Sequence, residues 1–183
     1  MKSKRNLTQI CLLCAAMLQA AASGAQALTF TNSTYTVGSG PVMPAVADVN
    51  GDGSLDLIIP ISVFNCADPS HNSAGNTLVV LTNNGSGVFG SNATLSVGTG
   101  PIDVAAADVN GDGCVDLICA NCNGNSWTVL TNNGSGSFGV SATLSDPLGG
   151  FVAASFSAGD FSGDGCVDLI CGTSGPGCSG GDN

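Results

Sequence analysis

The chain repeats itself with a period of about 50 residues. The stretch "DVNGDGSLDLII", which begins at Asp48, returns as "DVNGDGCVDLIC" at Asp108 and as "DFSGDGCVDLIC" at Asp160. Between these stretches, "VLTNNGSGVFG" at Val80 is repeated as "VLTNNGSGSFG" at Val129. Self-similarity at such a period is typical of proteins that repeat one structural unit. We therefore expect an array of similar units.

Each unit contains the patterns of four strands. The largely apolar segment "IDVAAADV" precedes the Asp-rich stretch, and "DLICA" follows it as a short apolar strand. Next come the strand "SWTVLTN", a turn whose Asn-Gly and Gly residues readily take positive φ, and the strand "VSATLS". The Asp-rich stretch is thus predicted to be a loop between two strands. The pattern indicates an all-β fold of β-propeller blades, each a four-stranded antiparallel sheet.

The ends of the chain contain partial units. "FTNSTYTVGSGP" from Phe30 matches the end of a unit, "FGSNATLSVGTGP" from Phe89, and the third "DLIC" is not followed by a "VLTNNGSG" turn. We therefore expect about three blades in an incomplete ring, whereas closed propellers usually have 4 to 8. A fragment, a ring shared by several chains and an open stack of blades remain alternatives. We favour a truncated or fragmentary propeller, because open blade edges invite self-association and aggregation.

The first 27 residues have the pattern of a secretory signal peptide. Lys2, Lys4 and Arg5 precede an apolar run over 10–22, and the small-residue site Ala25-Gln26-Ala27 follows. The run is shorter than the roughly 20 residues that a membrane-spanning helix needs. We expect export to the extracellular space or periplasm, with 28–183 forming the repeat domain and no insertion into a membrane.

The charge of the chain after this leader is entirely acidic. Residues 28–183 contain no Lys, Arg or Glu, and most of the thirteen Asp residues lie in the three repeated stretches. Without basic side chains the chain cannot neutralise phosphates, so nucleic acid and anionic membrane surfaces are disfavoured as partners. The counter-charge for the Asp clusters must therefore come from solution.

The spacing of the Asp-rich stretches is that of a calcium-binding loop. Counted from the first Asp, side-chain oxygens recur at positions one, three, five and nine, a Gly at six permits a sharp turn, and a main-chain carbonyl near seven completes the set. Oxygen ligands in this number suit Ca²⁺, which accepts 6 to 8 of them with flexible geometry, better than Mg²⁺. The candidate ligands, with position seven contributing its carbonyl, are Asp48, Asn50, Asp52, Ser54, Asp56, Asp108, Asn110, Asp112, Cys114, Asp116, Asp160, Ser162, Asp164, Cys166 and Asp168.

Two other interpretations of these loops are weaker. An EF-hand loop ends with a bidentate Glu at position twelve, where this chain has Ile59, Cys119 and Cys171. Asp/Asn-Gly turns without any ion are the second alternative. Three copies with the same carboxylate spacing favour a metal site over such turns.

The D-x-[DNS]-x-D-G-x-x-D loops, the "FG" after a glycine-rich turn and the "VGxGP" segment resemble FG-GAP/VCBS repeats. Such repeats build the calcium-binding propellers of integrin α subunits and of many secreted bacterial proteins. The resemblance implies a β-propeller with Ca²⁺ at one face of the blades, serving adhesion, ligand binding or scaffolding. Ser162 at the third position of the last loop departs from the pattern, so we expect that site to be the weakest.

The remaining candidate residues are better explained by structural roles than by functional ones. Cys119-Ala-Asn-Cys122 is a C-x-x-C, but it ends a short strand instead of opening a helix, so packing or a structural disulfide is favoured over redox or zinc chemistry. His71, the single histidine, lies in a polar insertion over 65–76 and is expected to be a solvated loop residue. Trp127 and Tyr35 are expected to pack within the sheets instead of stacking on sugars. Seven cysteines follow the leader, and their pairing stays open.

These observations predict a non-enzymatic, exported calcium-binding propeller module with a protein or carbohydrate ligand. The alternative is an accessory propeller fragment of a secreted hydrolase whose catalytic domain lies elsewhere. A structural surface protein that assembles with copies of itself is the third class.

Overall fold

The computed structural model describes residues 10–14, 31–62, 75–145 and 153–173. Twelve strands and no helix are found in these segments, which confirms the predicted all-β fold. None of the described residues belongs to a helix of the length and hydropathy needed to cross a membrane. Several residues named above lie outside the described segments: the cleavage site at 25–27, the insertion over 65–74, His71, and the cysteines Cys66 and Cys178.

Two four-stranded antiparallel sheets form the centre of the structure. Blade 1 consists of β3 (Ala45–Ala47), β4 (Asp56–Ile61), β5 (Thr77–Asn83) and β6 (Phe89–Ser96), paired in chain order. Blade 2 repeats this order with β7 (Pro101–Ala107), β8 (Asp116–Asn121), β9 (Ser126–Asn132) and β10 (Phe138–Ser145). The strands therefore follow the four-strand unit that the sequence predicts.

Two-stranded sheets flank the two complete blades. At the start of the chain β1 (Ile10–Cys14) pairs with β2 (Thr31–Tyr35), and at the other end β11 (Ala153–Gly159) pairs with β12 (Asp168–Thr173). The strand β1 lies inside the segment that the sequence predicts to be a signal peptide, and the sequence did not predict its pairing. The β11–β12 pair forms the first two strands of a third unit, which we call half-blade 3.

The largest hydrophobic core lies between blade 1 and blade 2. It contains Ile58 and Val80 from blade 1 and Leu117 and Leu130 from blade 2. Each of these side chains is almost completely buried. Full burial of a side chain of this size contributes about 1.5 to 3 kcal/mol. The interface between these blades is therefore a major source of stability.

A second core covers the opposite face of blade 1. Since side chains alternate across a strand, Leu57 and Ile59 face away from blade 2. They pack against Val37 and Tyr35, and the Tyr35 ring meets Phe89 edge-on at a centroid distance of 5.5 Å. The Ser62 N–H donates to the Gly40 carbonyl and the Cys122 N–H donates to the Gly100 carbonyl, both at 2.8 Å. The segment after β2 thus contacts blade 1 in the way that the segment after β6 contacts blade 2.

Half-blade 3 is joined to blade 2 by specific contacts. The Phe156 N–H donates to Asp103 Oδ2 at 3.0 Å, and the Phe156 ring meets Trp127 edge-on at 4.8 Å. Its "DLIC" strand is nevertheless open to solvent. Leu169 and Ile170 are 39% and 56% exposed, whereas the identical sequence in β8 is buried at 0% and 2%.

Candidate functional site

All three Asp-rich stretches are loops between the first and second strand of their unit. Loop 1 (48–56) joins β3 to β4, loop 2 (108–116) joins β7 to β8, and loop 3 (160–168) joins β11 to β12. In an antiparallel sheet the connection between the third and fourth strands lies at the same end as these loops. The turns over 84–88 and 133–137 are therefore close to loops 1 and 2 in the fold.

The first Asp of each loop organises the backbone around it. Asp48 Oδ1 accepts the N–H groups of Gly51 at 2.8 Å and Asp52 at 3.2 Å, while Oδ2 accepts that of Gly53 at 2.8 Å. Asp108 accepts the equivalent three bonds in loop 2, and Asp160 does so in loop 3. The three loops thus share one hydrogen-bonded frame.

Two glycines allow the chain to make this frame. Gly51 and Gly53 have φ values of 73° and 85°, and the glycines at the same positions of loops 2 and 3 also have positive φ. A side chain would be strained in this left-handed region. The sequence identified the second of these glycines and missed the role of the first.

Positions three and five carry exposed oxygen atoms. Asp52 Oδ1 accepts the Ser54 N–H at 2.8 Å, and Asn50 Nδ2 donates to Asp52 Oδ2 at 2.9 Å. These bonds, the Ser54 N–H first, hold the pKa of the Asp52 carboxyl below its ordinary value. The pKa of Asp112 is lowered in the same way, first by the Cys114 N–H.

Position nine differs from the other positions because its carboxylate is buried. Asp56 is 0% exposed, and its two oxygens accept the N–H groups of Val49 at 3.0 Å and Asn83 at 2.8 Å. Asp116 in loop 2 makes the equivalent bonds to Val109 and Asn132. The carboxylate therefore ties its loop to the third strand of the blade. This structural role was not predicted from the sequence.

In loop 3 the corresponding carboxylate has local partners. Asp168 Oδ2 accepts the N–H groups of Phe161 at 3.0 Å and Ser162 at 2.9 Å. All of loop 3 up to position seven is exposed. Loop 3 thus keeps the frame of the other loops with less packing around it.

The oxygen atoms of each loop are of the chemical type that binds a hard divalent cation. Carboxylate, amide and carbonyl oxygens are the ligands that Ca²⁺ prefers, and residues 31–183 contain no basic Lys or Arg to compete for them. In the described residues, however, no three His, Cys, Asp or Glu side chains form a ready-made cage. Their carboxylate oxygens already accept backbone N–H groups, two of them at Asp48 Oδ1. An oxygen that accepts one N–H, such as Asp52 Oδ1, keeps a second lone pair for another partner.

The two thiols of the C-x-x-C segment are shielded from solvent, Cys119 completely and Cys122 in part. Burial raises the pKa of Cys119 to about 12, with a further contribution from the charge of Asp103, and burial also raises the pKa of Cys122. Redox-active cysteines have the opposite shift, toward the thiolate. The Cys119-Ala-Asn-Cys122 segment lacks this property of a redox centre.

Residues outside the loops also contribute to the site, although the sequence did not predict them. The turn after β9 lies against loop 1 of the neighbouring blade, and Asn132 Nδ2 donates to the Val49 carbonyl at 2.7 Å. The signal available in the sequence was the repeated "NNGSG" turn, whose first Asn recurs as Asn83.

Comparison with known proteins finds one family. The model described as FG-GAP-like repeat matches residues 64–119 and 108–171, which together cover more than half of the chain. Both matches include loop 2, and the second also includes loop 3. No curated protein matches the chain at a significant level.

Proposed function

Because the chain belongs to the FG-GAP-like repeat family, we propose that it is an exported calcium-binding propeller module that serves adhesion, ligand binding or scaffolding. The observation that carries this proposal is the loop frame, which recurs in all three units with the same donors and acceptors. Because the same hydrogen-bonded frame recurs in the three loops, we expect all three to bind the same kind of ligand. The module is proposed to be non-enzymatic.

The residues that would hold calcium are those of each loop. In loop 1 they are Asp48, Asn50, Asp52 and Asp56 with the carbonyl of Ser54, and loops 2 and 3 have the equivalent positions. The carboxylates of Asp48, which is half-buried, and Asp52, which is exposed, are held in place by N–H groups before any ion arrives. This preorganisation lowers the entropy that ion binding would have to overcome.

Charge supports a cation as the ligand. Each loop carries three carboxylates within nine residues, and no Lys or Arg follows Arg5 in the sequence. Bound calcium would supply the positive charge that offsets the repulsion within each loop. The N–H groups of the frame offset part of this repulsion, which lets the loops keep their shape.

Export is supported by the leader pattern and by the family, whose repeats are typical of extracellular and periplasmic proteins. A protein or carbohydrate is the proposed kind of ligand, because the acidic surface disfavours polyanions. In this proposal the loops keep the blades in shape and a blade surface contacts the ligand.

A thermal melt of the chelator-treated chain with Ca²⁺, with Mg²⁺ and without metal tests the calcium part of the proposal. An ion that binds the folded state alone stabilises it by about 2.7 kcal/mol at a concentration of 100 times its Kd. We expect the melting temperature to rise with Ca²⁺ and to rise less with an equal concentration of Mg²⁺. A folded chain whose melting temperature is the same in all three conditions would contradict the proposal.

A further inference from the structure

Asn132, the last residue of β9, connects the two Asp loops. Its side chain is 3% exposed, and Nδ2 donates to two carbonyls, that of Val115 at 2.9 Å and that of Val49 at 2.7 Å. Val115 lies in loop 2 of the same blade, whereas Val49 lies in loop 1 of the neighbouring blade. Oδ1 of Asn132 accepts the Gly134 N–H at 3.2 Å. One buried amide thus holds both loops and its own turn.

The rest of the turn over 133–137, which follows β9, packs closely against blade 1. Asn92 Nδ2 donates to the Gly136 carbonyl at 3.0 Å, and a Cβ added at Gly136 would lie 2.9 Å from that nitrogen. Asn92 is the extra residue at the register shift between β5 and β6. A β-bulge of this kind redirects a side chain, which here reaches the neighbouring blade. The turn is therefore held by blade 1 at two points.

The bond to Val49 immobilises a peptide next to the candidate ligands of loop 1. The Val49 N–H donates to Asp56 and its carbonyl accepts from Asn132, so both polar groups of this residue are engaged. Val49 lies between Asp48 and Asn50, which hold positions one and three of the loop. Fixing Val49 therefore restricts the backbone that orients both side chains.

The repeat provides an internal comparison. Asn83 occupies the same position in blade 1, and its Nδ2 donates to the Leu55 carbonyl of loop 1 at 3.2 Å. Within the described segments, Asn83 makes no side-chain bond to another blade. Val109 of loop 2 likewise has its N–H bonded to Asp116, but its carbonyl accepts no side-chain donor from the described part of half-blade 3. Val49 is 1% exposed, whereas Val109 is only half-buried.

We propose that Asn132 is a positioning residue for loop 1, through which blade 2 preorganises the calcium site of blade 1. Loop 1 is then the most rigid of the three loops, and its affinity for calcium exceeds that of loop 2. The calcium part rests on the function proposed above. The rigidity part holds without any metal, because the hydrogen bonds that carry it are protein–protein bonds.

Hydrogen exchange of the calcium-free chain, followed by ¹H–¹⁵N NMR, tests the rigidity part. Asn132→Asp keeps the acceptor for the Gly134 N–H, removes both donated bonds and places a charge against two carbonyls. We expect exchange to accelerate about tenfold in both loops 1 and 2, since a buried carbonyl in each loop loses its donor. The matched variant Asn83→Asp should accelerate exchange in loop 1 and leave loop 2 unchanged.

The decisive observation is the exchange rate of the loop 1 amides in Asn132→Asp. If only loop 2 changes, Asn132 does not act across the blade interface and the proposal is overturned. Should this variant fail to fold, Asn92→Ala replaces it, because this change releases the turn from blade 1 at an exposed side chain. It should accelerate exchange in loop 1 and not in loop 2, and an unchanged loop 1 would overturn the proposal in that case as well.

A calcium titration of the same samples separates the two proposals. We expect Asn132→Asp to weaken calcium binding at loop 1 about tenfold, which corresponds to about 1.4 kcal/mol. Equal loop 1 affinities in the wild-type chain and Asn132→Asp would overturn the calcium part of this inference while leaving the proposed function intact. If the wild-type chain binds no calcium, the proposed function fails, and the exchange experiment alone decides whether Asn132 fixes loop 1.

Discussion

Asp56 and Asn83 are joined by a 2.8 Å hydrogen bond from the Asn83 N–H to Asp56 Oδ1, which ties the end of loop 1 to the end of β5. The same bond connects Asp116 with Asn132 in blade 2. The position-nine carboxylate is thus a structural element of the blade as well as a candidate ligand. Because it is buried, removing it affects the fold even when no metal is present.

Asp56→Ala is expected to destabilise the calcium-free chain strongly. The change leaves the N–H groups of Val49 and Asn83 without their acceptor. Each unsatisfied buried donor costs about 1 to 3 kcal/mol. We expect urea unfolding to show a loss of about 3 kcal/mol. Asp52→Ala, at an exposed side chain of the same loop, should change the stability by less than about 1 kcal/mol. Equal effects of the two changes would refute the structural role of position nine.

The pKa values of Asp52 and Asp112 are expected to lie below their ordinary value of 3.8 in the calcium-free chain. A lowered pKa means that the folded state favours the charged carboxylate, so its contribution to stability is present above pH 3.8 and is lost as the pH falls through the folded-state value. The measurement is a pH titration of the Asp carboxyl carbons by NMR. Midpoints at or above 3.8 would contradict the hydrogen-bond pattern of the loops.

Thiol labelling should distinguish two cysteines at equivalent positions of the repeat. Cys119 is buried with a pKa raised to about 12, whereas Cys171 is exposed. At pH 8 only about one Cys119 molecule in ten thousand is a thiolate, the reactive form. We expect iodoacetamide to modify Cys171 of the reduced, folded chain and to leave Cys119 unmodified. Mass spectrometry of the digested protein gives the result, and similar labelling of both residues would show that β8 is not protected as described.

The strands and loops could be predicted from the sequence because their signals are local. The alternation of β9 and the Asp-Gly spacing of loop 1 require only neighbouring residues to be compared. The bond from Asn132 to Val49 could not be predicted, because it joins residues 83 positions apart in different blades. The burial of a strand could likewise not be predicted from its sequence, since "DLIC" is buried in β8 and exposed in β12. Neighbouring strands decide which of these environments a strand has.

The exposure of loop 3 in half-blade 3 likewise depends on which strands lie next to it. Loop 3 has the hydrogen-bond frame of the other loops, yet it is exposed up to position seven and carries Ser162 in place of Asn. With less packing, its backbone is easier to deform. We therefore expect loop 3 to bind calcium more weakly than loops 1 and 2, in agreement with the sequence-based expectation.

Isothermal titration calorimetry of the chelator-treated chain with Ca²⁺ decides whether the repeated Asp loops are calcium sites. Asp112→Asn and Asp146→Asn serve as matched variants, because both remove one negative charge but only the first lies in an Asp-rich loop. We predict about three ions for the wild-type chain, one fewer tightly bound ion for Asp112→Asn, and no loss for Asp146→Asn. A folded wild-type chain that binds no calcium, or equal binding by both variants, would show that the Asp loops are not the calcium sites.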